Sequence, residues 1–392
     1  MIYKHAVFFL MSIAAVSVWS GEAPRLSRVA IEKKNQEASL ARSFADAFVI
    51  GAAIPGAELN PAEQKLLVTH FGTVTPENCM KPSRIHPSED RFAFDKADAL
   101  VAMARTNNLT INGHTLLWHQ ECPKWFFKNG DQDATREQVL ARMRSHISAV
   151  VGHFAGKVKS WDVVNEAISD DTGYLRESQW LSLAGEDFIV EAFFAARKVD
   201  PQAELYYNDY AIEKQPKRDK ALRLIRDLKK RGAPIQGIGI QGHWQLDHIP
   251  FKEIEESILA FNAEGLDVMI TELDIDMVPR STTGAETTAQ EQTGGDPFSQ
   301  GLPPEVQKRL ADQYAQLFAL FLKHRDKISR VTFWGLHDGR SWLNKWPSKR
   351  TNHALLWDRA LQPKPALSAV LSLAPAQKAN VFPKKAIQPP AR

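Results

Sequence analysis

The stretch Trp161-Asp-Val-Val-Asn-Glu-Ala-Ile-Ser169 decides the fold. The run from Trp161 to Val164 is interpreted as the apolar body of a strand, and it ends abruptly in Asn165 and Glu166. A buried strand of a parallel sheet is built from apolar residues and does not need an amide and a carboxylate at its end. In a parallel barrel such a pair lies at the carboxyl end of the strand, where barrel enzymes carry their chemistry.

A second stretch, Val268-Met-Ile-Thr-Glu272, ends in the same way. A single Glu after an apolar run is more often a solvated strand end than a functional group. Two strands that each deliver a Glu to one rim are typical of an enzyme that works with a pair of carboxylates, as glycoside hydrolases do. Together with the polar residues at the other strand ends, the two sites favour a functional interpretation.

Eight short apolar runs, each followed by polar residues, alternate with longer segments that have helical periodicity, such as 219–231 and 305–325. Eight strand–helix repeats predict a single (β/α)8 TIM barrel with a parallel eight-stranded core. A doubly wound open sheet is the alternative, but no glycine-rich phosphate-binding motif follows any of the runs. The predicted strands are 48–54, 72–75, 109–113, 158–164, 204–207, 237–240, 267–271 and 330–333.

The composition is that of a soluble globular protein, with 392 residues, 44% hydrophobic and 24% charged. A net charge of +3 gives no reason to expect nucleic acid or a membrane surface as a partner. The two cysteines, Cys79 and Cys122, are far apart and the chain has no clustered Cys/His spacing, so we expect neither a metal site nor a cofactor. The two thiols could pair in a disulfide or remain free.

Residues 1–20 are typical of a secretory signal, with Lys4 before a mostly apolar run and small residues at Ser20 and Gly21. The run of about 14 residues is too short to cross a bilayer comfortably, so we expect cleavage and export to the periplasm or the medium. The catalytic domain is assigned to 21–373, and the proline- and lysine-containing tail 374–392 is expected to be disordered. The segment 280–304 is either a subsite wall or lid on the catalytic rim or a flexible insertion.

The residue types at the strand ends suit a sugar polymer. Amide, carboxylate, Lys and His side chains bind sugar hydroxyls, while Trp and Tyr rings pack against the C–H faces of pyranoses. Cleaving the acetal needs one carboxylic acid to protonate the leaving oxygen and one carboxylate to attack or stabilise the sugar carbon. A separation of about 5–5.5 Å between the carboxyls gives retention and about 6.5–9.5 Å gives inversion, a distance that the sequence does not provide.

Six motifs resemble those of glycoside hydrolase family 10, the endo-1,4-β-xylanases. The resemblance spans about residues 45–370 and implies a (β/α)8 barrel that hydrolyses β-1,4-xylan with retention of configuration. The motifs are Trp161-Asp-Val-Val-Asn-Glu166, Gly113-His-Thr-Leu-Leu-Trp-His119, Glu77-Asn-Cys-Met-Lys81, Gln241-Gly-His243, Thr271-Glu-Leu-Asp274 and Val331-Thr-Phe-Trp-Gly335.

The resemblance also implies roles for individual residues. Glu166 matches the general acid/base and Glu272 the nucleophile, while His243 matches the histidine that hydrogen-bonds the nucleophile and Asp274 the carboxylate that orients it. Tyr210 is implied to face the aglycone side. The positions implied to bind or enclose the sugar chain are Glu77, Asn78, Lys81, His114, Trp118, Asn165, Asn208, Tyr210, Gln241, Trp334 and Trp342.

The resulting hypothesis is a monomeric, retaining endo-1,4-β-xylanase whose partners are xylan and xylo-oligosaccharides. One alternative is a barrel glycosidase acting on β-1,4-glucan or mannan, which needs room for the 6-hydroxymethyl group that xylose lacks. The other is a non-catalytic glycan-binding protein on the same scaffold. That protein would be expected to lack one of the two carboxylates, and both are present.

Overall fold

Eight parallel strands form a closed barrel in the computed structural model, which describes residues 38–278 and 295–375. Each strand pairs in parallel with the next, and the eighth pairs with the first, which closes the sheet. This confirms the predicted (β/α)8 barrel. The strands are β1 (Val49–Ile54), β2 (Thr73–Pro76), β3 (Thr110–Trp118), β4 (Ser160–Asn165), β5 (Glu204–Asp209), β6 (Gly237–Ile240), β7 (Asp267–Asp276) and β8 (Ile328–Phe333).

All eight predicted strands are present, and two of them extend five residues beyond their predicted ends. β3 continues to Trp118 and β7 to Asp276, where the sequence pattern ended them at 113 and 271. The polar and aromatic residues at these ends keep their backbone pairing, as Trp118 does with Asn165. An apolar pattern therefore underestimates the length of a strand that continues into a polar site.

A helix follows each strand around the outside of the barrel. The predicted helices 219–231 and 305–325 are found within two residues of their expected limits. Gly232, with φ +72°, lies just after the first of them, in a conformation typical of the glycine that ends a helix. The helices are α1 (Pro61–His70), α2 (Asp95–Thr106), α3 (Arg136–His153), α4 (Asp187–Val199), α5 (Lys217–Lys230), α6 (Phe251–Ala263), α7 (Pro304–Lys323) and α8 (Pro365–Ser372).

The helices form where apolar stripes and caps coincide. In α7, Leu310, Tyr314, Leu317 and Phe321 recur at helical spacing, and all four are buried against the barrel. At the start of α1, the Asn60 side chain accepts from the backbone of Glu63, whose carboxylate accepts in return from the Asn60 N–H. The packed and capped helices hold in place the loops that connect them to the strands.

Shorter elements lie at both margins of the barrel. Helices Leu40–Ser43 and Pro82–Ile85 flank β1 and β2, and the two-residue strands Lys128–Asn129 and Gln132–Asp133 form a hairpin after β3. The strand His243–Gln245 pairs in parallel with the end of β7. That pairing sets His243 beside Asp274. Among the shorter elements, this strand matters most for the site.

Two glycines allow close approaches inside the barrel. A Cβ at Gly239 on β6 would lie 2.4 Å from Oδ1 of Asn208 on β5. A Cβ at Gly113 would lie 2.2 Å from the ring of Trp161. Any larger residue at 239 would displace Asn208, which contacts one of the two carboxylates described below.

Some of the sequence predictions fall outside the described residues: the signal segment 1–20, part of the 280–304 insertion and most of the 374–392 tail. The described end of the insertion packs on the loop after β8, where Asp296 accepts hydrogen bonds of 3.0 and 2.6 Å from the backbone and hydroxyl of Thr351. Across residues 38–278 and 295–375, no helix combines the length and apolar character that crossing a membrane requires.

Candidate active site

An open cavity of about 450 Å³, a volume that includes space continuous with solvent, lies at the carboxyl ends of the strands. This is the end of the barrel at which the sequence placed the chemistry. Every residue that lines it was among the predicted site residues, and six of the eight strands or the loops directly after them contribute. The lining consists of Glu77, Lys81, His114, Trp118, Asn165, Glu166, Gln241, His243, Glu272, Trp334 and Trp342.

Glu166 follows β4 and is 3% exposed. Its carboxyl accepts hydrogen bonds from Trp118 Nε1 to Oε2 (2.8 Å) and from Gln241 Nε2 to Oε1 (2.9 Å). Burial raises the pKa of Glu166, and the negative charges of Asp209 and Glu272 raise it further. Glu166 therefore holds its proton to higher pH than an exposed glutamate does.

Glu272 lies within β7 and is 5% exposed. Asn208 Nδ2 donates to its Oε1 (2.7 Å), and Nε2 of His243 lies 3.2 Å from its Oε2. Burial alone would raise the pKa of Glu272. The hydrogen bond from His243 and the charges of His114 and His243 outweigh burial, so that the pKa is lowered and the carboxylate is held ionised.

His243 carries the positive charge next to Glu272. Its Nδ1 lies 2.9 Å from Oδ1 of Asp274, and the other oxygen of Asp274 accepts from Trp342 Nε1 at 2.8 Å. Burial would lower the pKa of His243, but Asp274 and Glu272 outweigh it and raise the pKa to about 10. The ring is therefore an imidazolium near neutral pH, and both of its N–H groups donate to carboxylates.

Two asparagines and a glutamine connect the two glutamates. Asn208, which donates to Glu272, also donates to Asn165 Oδ1 at 2.9 Å. Gln241, which donates to Glu166, lies 3.5 Å from the same Asn165 oxygen. The amides thereby fix the positions of both carboxyls relative to each other.

Glu77, Asn78 and Lys81 form a separate polar group after β2. Lys81 Nζ donates to Asn78 Oδ1 at 3.2 Å and lies 4.9 Å from the ring centre of Trp118. Burial raises the pKa of Glu77, which Lys81 partly offsets. This group supplies donors and acceptors suited to sugar hydroxyls on one side of the carboxylate pair.

Four predicted site residues lie around the cavity rather than in its lining. Asn208 donates a hydrogen bond to Glu272, Asp274 accepts one from His243, and Asn78 accepts one from Lys81. Tyr210 is 2% exposed, and its hydroxyl contacts Asp170 and Arg176 behind Glu166. Tyr210 thus lies outside the cavity lining, and its expected place on the aglycone side stays a prediction.

Two supporting residues were not among the predicted site residues. Asp162, counted within an apolar run, is 1% exposed and lies 2.9 Å from His114 Nδ1. A lone acid inside a buried strand was the signal that could have found it. Arg176 donates to the backbone carbonyl of Glu166 at 2.9 Å from a loop without any motif.

The two cysteines and the residue types that bind metals are the remaining candidates for chemistry. Cys79 and Cys122 are free thiols, and burial raises the pKa of Cys79 to about 11. In the part of the chain that the structure describes, no group of three or more His, Cys, Asp or Glu is arranged to hold a metal ion.

Fold and site together are typical of a barrel glycoside hydrolase, with two buried carboxyls of opposite pKa shift in its cavity. The profile of glycosyl hydrolase family 10 matches residues 39–373. The chain therefore belongs to glycosyl hydrolase family 10.

Characterised relatives cover nearly the same region. The chain is 40% identical over 335 residues to the endo-1,4-beta-xylanase A of Xylanibacter ruminicola, covering 83% of this chain and 90% of the relative. It is 40% identical over 331 residues to the beta-1,4-xylanase of Dictyoglomus thermophilum, covering 84% and 89%. A family 10 endoxylanase structure from a sugarcane soil metagenome superposes with a TM-score of 0.83 at 38% identity, covering 86% of this chain and all of that one.

We predict that Asp274→Asn lowers the pKa of His243, since Asp274 is the main group that raises it. Nitrogen-15 NMR of the imidazole should show a doubly protonated ring at pH 8 in the wild type and a lower titration midpoint in the variant. Asp162→Asn, which removes the carboxylate next to His114 instead, serves as the matched control. A neutral His243 at pH 7 in the wild type would contradict the assigned charge.

Proposed function

We propose that the protein is a retaining endo-1,4-β-xylanase, which hydrolyses internal bonds of xylan and xylo-oligosaccharides by double displacement. The observation that carries the proposal is the pair of buried glutamates with opposite pKa shifts in one cavity. Xylan as the substrate is supported by the relatives, which are named as xylanases over the same region.

Glu166 is proposed to be the general acid. Its raised pKa keeps the proton available at a pH where an exposed glutamate has lost it. Trp118 and Gln241 each donate to one of its oxygens, which fixes the orientation of the carboxyl group. In the first step this proton passes to the glycosidic oxygen as the bond to the sugar carbon breaks.

Glu272 is proposed to be the nucleophile. Its lowered pKa leaves a carboxylate, and Asn208 and the His243 imidazolium hold its oxygens in place. As the leaving oxygen departs with the proton of Glu166, one Glu272 oxygen bonds to the sugar carbon and forms an ester. Asn165, whose side-chain oxygen is contacted by both Asn208 and Gln241, is proposed to bind a hydroxyl of that sugar.

The same pair completes the second step with its roles changed. Once Glu272 is esterified, its negative charge is gone, and one cause of the raised pKa of Glu166 goes with it. Glu166, now a carboxylate, takes a proton from water as the water oxygen attacks the sugar carbon. The ester bond breaks, Glu272 is released as a carboxylate, and Glu166 holds a proton again.

The surrounding residues are proposed to bind the chain on both sides of the cleaved bond. Glu77 and Lys81 contact the hydroxyls of the next sugar on the glycone side, and Asn78 orients Lys81 for that contact. His114 and Trp118 enclose the sugar that reacts, and Trp334 and Trp342 close the cavity from β8 with apolar rings that suit pyranose faces.

The test of the proposed function is the product profile on purified xylan over time, with cellulose and mannan as parallel substrates. We expect a spread of intermediate xylo-oligosaccharides that shortens as the reaction proceeds, because an endo-acting enzyme cuts within the chain. Products from glucan or mannan far exceeding those from xylan would refute the substrate. Release of single xylose units from chain ends would refute the endo mode.

We predict that Glu272→Ala lowers kcat on xylan by roughly a thousandfold or more, because the variant lacks the attacking oxygen. Circular dichroism should show a folded protein. Glu191→Ala removes a half-exposed carboxylate that pairs with Arg144 outside the cavity, and it should retain wild-type turnover. Near-normal activity in Glu272→Ala would exclude Glu272 as the nucleophile.

A further inference from the structure

The backbone at Glu166 has an unusual conformation. Its φ is +57°, in the left-handed region that residues with a side chain seldom adopt. Its N–H donates to the Asn208 carbonyl at 2.9 Å, which ties the residue to β5. Such a conformation persists where the surrounding structure holds it, and residues held in this way cluster at functional sites.

Arg176 contacts the other side of this residue. Its Nε donates to the backbone carbonyl of Glu166 at 2.9 Å, while Nη2 donates to Asp170 Oδ2 at 2.9 Å and to the Tyr210 hydroxyl at 2.8 Å. The Arg176 N–H also donates to the Ala167 carbonyl at 2.8 Å, so the chain folds back on itself directly after Glu166. One planar guanidinium thus links the Glu166 backbone to two other anchors.

The anchors of Arg176 are themselves fixed by α5. Lys217, at the start of that helix, donates to Asp170 Oδ1 at 2.8 Å and to Asp209 Oδ1 at 2.9 Å. Its Nζ also lies 3.7 Å from the ring centre of Tyr210. Because Lys217 is 6% exposed and Asp209 is completely buried, this arrangement gives Arg176 a rigid support behind the carboxyl pair.

By binding the backbone carbonyl of Glu166, Arg176 fixes the position and direction of the Glu166 Cβ atom. Trp118 and Gln241 fix the position of the carboxyl group, since each donates a hydrogen bond to one of its two oxygens. If the carbonyl were released, rotation of the backbone toward the common φ region would swing Cβ away from its present direction. The carboxyl could then no longer reach both donors and the leaving oxygen at the same time.

We propose that Arg176 is a positioning residue for proton donation, acting through the backbone carbonyl of Glu166. The inference rests on the proposed role of Glu166 as the general acid. It predicts that substituting Arg176 slows reactions whose leaving group must be protonated. Reactions with a leaving group that departs without a proton should be nearly unaffected.

The experiment compares Arg176→Lys with the wild type on two aryl xylobiosides that differ only in the leaving group, phenyl and 2,4-dinitrophenyl. Lysine keeps the positive charge, but its single nitrogen cannot reproduce the fork that joins the carbonyl to Asp170 and Tyr210. Arg142→Lys is the matched control: the Arg142 side chain is 15% exposed against 14% for Arg176, and it also donates to carbonyls and a carboxylate, away from the cavity.

In Arg176→Lys, we expect kcat/KM to fall about 10- to 100-fold on the phenyl substrate and by less than about threefold on the dinitrophenyl substrate, whose departure needs little protonation. Arg142→Lys should leave the ratio of the two values unchanged. Because both substrates are measured on one preparation, this ratio does not depend on how much of the protein is folded. Equal losses on both substrates would overturn the positioning role.

Glu166→Ala, assayed in the same way, separates this inference from the proposed function. If Glu166→Ala lowers kcat/KM mainly on the phenyl substrate while Arg176→Lys lowers both equally, the acid role stands and the inference about Arg176 is wrong. If Glu166→Ala itself does not distinguish the two substrates, the general-acid assignment is wrong, and the inference falls with it.

Discussion

The site depends on the hydrogen bonds that join its two glutamates through amide side chains. Asn208 donates to both Glu272 and Asn165, and Gln241 reaches from Glu166 toward the same Asn165 oxygen. Amides do not titrate, so they hold two neighbouring carboxyls at a fixed separation without adding charge of their own. The difference between the carboxyls comes instead from their other surroundings: an imidazolium next to Glu272, and burial beside the negative charge of Asp209 for Glu166. Pairing lowers the pKa of Glu272, and burial beside negative charge raises the pKa of Glu166.

The barrel makes the opposite pKa shifts of the two glutamates possible, because the residues that contact them come from different strands. Parallel strands end at one rim, so residues that are distant in sequence, such as Trp118, Asn208 and Glu272, meet without long loops. The short strand beginning at His243 pairs with the end of β7 and sets the imidazole beside Asp274. Behind the rim, α5 provides Lys217, which stiffens the loop that follows Glu166. Backbone pairing therefore positions the reactive groups, and side chains from the next layer refine their orientation.

The sequence predicted the barrel and the cavity lining well because both follow from local patterns. A polar residue after an apolar run is visible without structural information, and parallel topology brings such residues together. The supporting residues could not be predicted in this way. Arg176 acts on a backbone carbonyl from an irregular loop, and the role of Asp162 depends on a neighbouring strand. Tyr210 follows β5 in sequence, but its hydroxyl turns toward Asp170 and Arg176, a direction that strand periodicity does not specify.

The most direct test of this account is a carbon-13 NMR titration of the glutamate carboxyls in the wild-type protein, with Glu166→Gln and Glu272→Gln used to assign the two signals. The account predicts that Glu272 titrates below the ordinary glutamate value of 4.5 and Glu166 above it, which leaves a pH range in which one carboxyl is ionised and the other protonated. Titration of Glu272 above Glu166 would contradict the division of roles between the two residues.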